Sequence, residues 1–302
     1  MKIAIFEKTN FSLEQMARLK SLGKVDSFDN LTQEEANQLA PQYDVVIVNW
    51  LDPTPFIMNM KPGSLVALLS TGYGWITNIR EANEKGIFTA NIPNYSTEAV
   101  AQHLLGMLLG VSKNIFPTLN GNNNNAVGFE LKDKIVGIIG LGNIGSRFAE
   151  IMNFFGAKII TYNRKLKNNP IAEDVSLENL LMRSDVICIS CAVNAESKGM
   201  INMTNINKIK KRAIVIGSTW DIVENSAMLY ALKEDIIGFV SFDAAIEAGS
   251  FINNELRHYN DRVFLTPHVA FNTVESEIRQ LDICVNNICS FANGYPQNIV
   301  KE

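Results

Sequence analysis

The residues with the most chemical content form the run Gly140-Leu141-Gly142-Asn143-Ile144-Gly145. The β-branched stretch Ile135, Val136, Ile138 and Ile139 precedes it, and Phe148, Ile151, Met152 and Phe155 follow at helical spacing. The pattern reads as buried strand, tight turn and helix. In that setting Gly140 permits the turn, Gly142 lets backbone approach a pyrophosphate, and Gly145 lets helix pack on strand. The first helical N–H groups, beginning at Asn143 and Ile144, and the helix dipole then face the phosphates. The GxGxxG spacing alone is weak, but the strand and helix around it predict a dinucleotide site.

About 20 residues past the glycines, such folds place an acidic residue on the ribose 2′-OH. Here Asn163 stands there, followed by Arg164, Lys165 and Lys167. Without a carboxylate to repel it, a 2′-phosphate is admitted, and Arg164 can pair with it in bidentate fashion. The expected cofactor is therefore NADP in preference to NAD. A solvated basic turn, with Asn163 bonding the 2′-OH of NAD, is the other reading. A second anion-holding candidate is the turn Ser70-Thr71-Gly72-Tyr73-Gly74, whose small residues leave backbone N–H groups free. On that segment alone, an ordinary strand-to-helix turn is the simpler reading. Cys188 and Cys191 have metal-ligand spacing, but three residues apart on a strand they point to opposite faces, so one ion could not easily collect both. They are read as structural, with no metal expected.

These residues need a frame. Apolar runs at 2–6, 24–28, 45–48, 65–69 and 87–92 predict strands, with helices over 12–22 and 31–40 between them. After the glycine loop, strands are expected at 158–162, 185–190, 213–216, 236–240 and 263–265, and a closing helix at 271–291. This alternation predicts an α/β protein with parallel sheets. A helix opened by Ser96 or Thr97, with Glu98 at its positive end, is apolar nearly all round and should be buried between domains or subunits. His103 within it reads as a satisfied interface histidine. Residues 120–128 are polar and Asn-rich, as a surface loop would be.

At 302 residues and 47 % hydrophobic composition the chain can build two cores, and its net charge of −4 gives no reason to expect nucleic acid or an anionic membrane as partner. No apolar run reaches the roughly 18 residues of a membrane span, and residues 1–6 read as a first strand and not a secretory signal. A cytoplasmic location is expected.

The segments STGYG, NIPNYSTEAVAQHLLGMLL, GIIGLGNIG, SDVICISCAVNAESKGMIN and LTPHVAF occur in one order along the chain. In this it resembles the D-2-hydroxyacid dehydrogenase family, nearest its glycerate dehydrogenase and hydroxypyruvate reductase branch. The resemblance implies two doubly wound parallel-sheet domains. A flavodoxin-like substrate domain would comprise residues 1–95 and 275–302, and a Rossmann dinucleotide domain residues 96–274. It also implies a homodimer built partly on the helix from Ser96. The activity implied is hydride transfer between a nicotinamide cofactor and a small 2-hydroxy or 2-oxo acid. His268 matches the family histidine that exchanges the hydroxyl proton. Thr71, Gly72 and Tyr73 match the loop whose N–H groups hold the substrate carboxylate.

Two positions depart from the family. Where its pattern places an arginine, this chain reads Gly217-Ser218-Thr219-Trp220, one residue short, so that Trp220 is expected in the substrate cleft near His268. The family glutamate position is Ala248, and Glu247, one residue early, is the candidate partner of His268. An indole offers one neutral donor against five charged ones from guanidinium. Two readings follow: a working NAD(P)-dependent oxidoreductase, or a nucleotide-binding homologue without turnover that acts as a sensor or dimeric binding protein.

Overall fold

The computed structural model describes residues 1–121, 127–243 and 255–301. The chain forms two compact units, Met1–Ser96 with Thr273–Glu302, and Thr97–Asn272.

The first unit is a five-stranded sheet of β1 (Lys2–Ile5), β2 (Lys24–Ser27), β3 (Val45–Val48), β4 (Leu65–Leu68) and β5 (Phe88–Ala90), all parallel, in the order β2-β1-β3-β4-β5. Both faces are covered. Ala4, Phe6, Val46, Val48, Val66 and Leu68 share one cluster with Ala36, Tyr43 and Phe56, while the alternate residues Ile3, Ile5, Val45, Ile47 and Leu65 are equally buried. Ser12 and Gln15 form a reciprocal cap on helix Leu13–Leu22, as Thr273 and Ser276 do on helix Val274–Ala292. That closing helix starts three residues later than its apolar pattern suggests, because Thr273 supplies the cap. The two helices are tied by Gln15 Nε2 donating to Asp282 at 2.7 Å.

The second unit holds seven parallel strands: β6 (Ile135–Ile139), β7 (Lys158–Tyr162), β8 (Ala172–Asp174), β9 (Val186–Ile189), β10 (Ala213–Gly217), β11 (Ile237–Asp243) and β12 (Val263–Thr266). Their order is β12-β11-β10-β9-β6-β7-β8. The order reverses between β6 and β9, and such a reversal opens a crevice at the carboxyl ends of the two strands. Val136, Ile138, Val186, Cys188, Ile214 and Ile216 face a layer containing Leu104, Leu108, Phe148 and Met152. The alternate residues Ile139, Ile187, Ile189, Val215 and Phe242 face the other layer. Strand β8 is absent from the sequence reading because Ala-Glu-Asp carries no apolar alternation; it is a three-residue edge strand held by register with β7. Among the described residues no helix is long and apolar enough to cross a membrane.

Phe6 anchors the first unit. It is fully buried and meets Phe28, Tyr43 and Phe56 edge to face at centroid distances of 6.0–6.3 Å. Phe6→Ala should lower stability by about 3–5 kcal/mol through lost burial and the cavity left behind. Urea unfolding followed by tyrosine and tryptophan fluorescence measures it, and a loss below about 1 kcal/mol would remove Phe6 from this role.

Candidate active site

Each glycine of the loop after β6 has its own physical reason. Gly140 adopts φ +96°, and a Cβ there would lie 2.6 Å from the Cα of Cys191. A Cβ at Gly145 would lie 2.2 Å from the Gly140 carbonyl and 2.7 Å from Ser190 Oγ. Helix Asn143–Phe154 therefore sits on β6 at a separation only glycine permits. Gly142, the N-cap, is the opposite case: nothing lies within 4 Å of a Cβ built on it. The backbone is open there, at the N-terminus of a helix whose dipole favours an anion. This cradle fits a pyrophosphate, and the space it offers is the space that a side chain at Gly142 would fill.

The loop is tied to its surroundings by side chains. Ser190 Oγ donates to the Gly140 carbonyl at 2.8 Å. Asn163 Oδ1 accepts from the Leu141 N–H, and its Nδ2 donates to Thr161 Oγ1 at 3.0 Å. Asn163 thus braces the glycine turn from the end of β7. Arg164 pairs with Glu196 at 3.0 Å, both side chains more than 70 % exposed. Such a pair contributes at most about 1 kcal/mol, so it does not lock the guanidinium away from a stronger anion. Cys188 and Cys191 pack in different layers of the sheet, and burial pushes the Cys188 thiol far above its usual range.

At the far side of the sheet, Asp243 ends β11 opposite Thr266 of β12. Its carboxylate, 2 % exposed, accepts from the Val269 N–H at 2.9 Å, the Ala270 N–H at 2.8 Å and the Thr266 hydroxyl. Because Thr266 gives its proton to Asp243, its oxygen accepts from His103 Nε2 at 2.9 Å, which fixes the proton of His103 on Nε2. His103 is satisfied, and it links helix Thr97–Ser112 to β12.

Between Thr266 and Val269 lies His268. Its backbone is left-handed, φ +53°, with its N–H on the Thr266 carbonyl at 3.0 Å. The ring leans on Phe271 at 5.5 Å between centroids, and it is exposed with no hydrogen-bond partner among the described residues. A non-glycine residue in this region is strained by about 1–3 kcal/mol, and the N–H bonds of Val269 and Ala270 to Asp243 hold it. Asp243 is the residue that sequence reasoning missed. Its signal was a carboxylate closing the apolar strand IGFVSFD, where an acid must find donors.

Trp220 follows β10. The structure places it in the core, 8 % exposed, edge to face with Phe242 at 4.9 Å, its indole N–H donated to Asn225 at 2.8 Å. Its single donor is used, so it has none for a substrate anion. The reason is local: after β10 the chain turns into a one-turn helix at Trp220–Ile222, and the large apolar ring there follows Ile222 inward. Glu247 lies outside the described residues.

In the first unit, the loop after β4 is pinned everywhere except at its amides. Ser70 Oγ donates to the Gly72 carbonyl at 2.8 Å, Asn91 Nδ2 to that of Thr71 at 2.7 Å, and the Ile76 N–H to that of Tyr73 at 3.0 Å. The N–H groups of Thr71, Gly72 and Tyr73 have no partner among the described residues.

A family model described as D-isomer specific 2-hydroxyacid dehydrogenase, NAD binding domain, matches residues 105–270, more than half of the chain. The chain belongs to this family. A hydroxypyruvate reductase from Blautia hydrogenotrophica is 28 % identical over 94 % of both chains. A glyoxylate reductase from Thermococcus litoralis is 31 % identical over 79 % of this chain and 77 % of its own. An acyclic imino acid reductase, solved with NADPH and D-arginine, shares the fold at a TM-score of 0.87, covering 99 % of this chain and all of that one, at 24 % identity. As a D-2-hydroxyacid dehydrogenase, the protein is an NAD(P)-dependent oxidoreductase of 2-hydroxy and 2-oxo acids.

The open space at Gly142 makes a clean test. Gly142→Val should fold as the wild type does, its φ of −80° being accessible to valine, while the two methyl groups exclude the pyrophosphate. Calorimetric titration with NADPH and NADH should show binding abolished; undiminished affinity in a folded variant would move the site elsewhere. Asp243→Ala should cost on the order of 3 kcal/mol, since it strands two N–H groups and a hydroxyl. A thermal melt unchanged from wild type would show those bonds to be dispensable.

Proposed function

We propose that the protein reduces a small 2-oxo acid to the D-2-hydroxy acid, with NADP(H) as the preferred cofactor, in the cytoplasm and as a homodimer. The observation that carries the reading is the imidazole of His268, without a hydrogen-bond partner among the described residues and held on a strained turn by Asp243 beyond the carboxyl end of β12. The nicotinamide, when bound, supplies or accepts the hydride. His268 gives a proton to the developing alkoxide in reduction and takes it back in oxidation, with Glu247 as its carboxylate partner. The free amides of Thr71, Gly72 and Tyr73 receive the substrate carboxylate, so that Met1–Ser96 and Thr273–Glu302 form the substrate domain. Four free cysteines are in keeping with a reducing compartment.

For the cofactor, the support is Asn163 and Arg164. Asn163 spends its oxygen on the glycine turn and presents no carboxylate, and among the described residues Arg164 is held by an exposed ion pair. NADPH should bind more tightly than NADH, and Arg164→Ala should remove most of that difference; fluorescence titration of both cofactors decides it. A wild-type preference for NADH, or a ratio indifferent to Arg164, would reverse the assignment.

The burial of Trp220 favours the second reading, a cofactor-binding homologue with impaired turnover. A neutral clamp forgoes charge-assisted bonds worth on the order of 10²–10³ in rate. Hydroxypyruvate and glyoxylate should therefore give kcat/KM below about 10⁴ M⁻¹s⁻¹. A value above it would mean that another group supplies the missing charge. No turnover of any 2-oxo acid, with NADPH still bound, would establish the second reading.

A further inference from the structure

The amino end of the seven-stranded sheet carries a group of charges that hydride transfer leaves unused. Lys134, Asp185 and Arg212 immediately precede β6, β9 and β10, which are adjacent in the sheet. Val136, Val186 and Ile214 are in register across them, so the three strands start level with one another. The basic run Lys208-Ile209-Lys210-Lys211-Arg212 leads into β10. Lys134, Lys210, Lys211 and Arg212 line a cavity of about 170 Å³ at this end, together with Asp185 and Phe129. Four cations thus meet one carboxylate, in a chain whose net charge is −4.

The carboxylate is already spent. Asp185 Oδ1 accepts from Lys210 Nζ at 2.6 Å, and Oδ2 accepts from the Ile135 N–H at 2.9 Å. Lys211 is exposed, and no hydrogen bond or ion pair holds it among the described residues. Lys134 lies over the Phe129 ring, its Nζ 5.9 Å from the centroid. Arg212 pairs with Asp235 at 3.0 Å, but that carboxylate is shared with Arg262 and the pair is too exposed to withhold the guanidinium from a stronger anion. Its backbone is fixed. Arg212 is left-handed, φ +62°, with its N–H on the Ile236 carbonyl at 2.6 Å. Its own carbonyl packs on Gly238, where a Cβ would lie 2.7 Å from that oxygen.

We propose that this cavity binds a small anion bearing a diphosphate group, at the end of β6 and β9 opposite the cradle at Gly142. Charge and size give the class. Only a multiply charged anion with several acceptor oxygens engages these cations together. The pockets of drug-sized ligands begin near about 300 Å³, so this cavity admits a diphosphate and leaves any larger remainder outside. A basic run is also the mark of a nucleic-acid patch. A single strand, however, is held along a groove that tracks its backbone, whereas here the cations converge on one recess.

The test is calorimetric titration of inorganic pyrophosphate into the protein loaded with equimolar NADPH, in wild type, Lys211→Ala, Arg212→Gly and the double variant. Lys211 is exposed and glycine accepts the left-handed backbone at position 212, so the variants fold. Each single substitution should weaken binding about tenfold, and the double substitution should abolish it. Gly142→Val, which closes the cradle, should leave the pyrophosphate affinity as it is. ADP titrated alongside separates the sources of the group. Affinity no tighter than that of pyrophosphate marks the free anion, and tighter affinity marks a ligand whose remainder lies outside the cavity. Wild type that binds no pyrophosphate below about 1 mM, or a double variant within about tenfold of wild type, overturns the assignment. Loss of binding in Gly142→Val does so too, since the cradle would then be the site. An oligouridine that binds through Lys211 and Arg212 where pyrophosphate does not would replace the small anion with nucleic acid.

Discussion

The nucleotide half of this molecule depends on one close approach, between helix Asn143–Phe154 and the strand it follows. The Gly145 backbone comes so near the Gly140 carbonyl that a Cβ would be 2.2 Å from it. That approach brings the helix N-terminus to the crevice where the strand order reverses, and so sets amide dipoles at the carboxyl ends of β6 and β9. Gly140 meets a second limit, the Cys191 backbone at the end of β9. The loop is squeezed from both sides of the crevice and free only at Gly142. Ser190 and Asn163 then hydrogen-bond the squeezed turn in place.

Asp243 does for His268 what the glycines do for the loop, by different means. A buried carboxylate must be surrounded by donors, and here the donors are the two amides that follow His268 and the hydroxyl two residues before it. The carboxylate determines the turn, the turn determines the left-handed histidine, and His103 extends the constraint to the long helix. Among the described residues the imidazole itself has no partner, because the surrounding bonds are made by backbone and by Thr266.

The parts of this architecture legible in the sequence are those whose signal is local. β-branched runs give the buried strands, and the glycine spacing gives the loop, because both follow from residues within a few positions of one another. β8 was illegible because an edge strand of Ala-Glu-Asp is defined by its partner β7 and not by its own pattern. The role of Asp243 was illegible for the same reason: its donors lie more than 20 residues away. The surroundings of Trp220 were illegible because a motif position fixes a residue's place in the chain and not the direction of its side chain. In the folded unit the ring follows the apolar cluster of Phe242 and Ile222. For a large apolar side chain, burial is worth about 1.5–3 kcal/mol, and that decides against an exposed anion contact.

The consequence of that inward turn reaches the proposed chemistry. A guanidinium both attracts a carboxylate and polarises a carbonyl, and it does so for every 2-oxo acid alike, because every one carries both groups. Neutral amides such as those of Thr71, Gly72 and Tyr73 bind the same carboxylate more weakly, which leaves a larger share of the discrimination to whatever else the substrate touches. A site that gives up charge must select by shape.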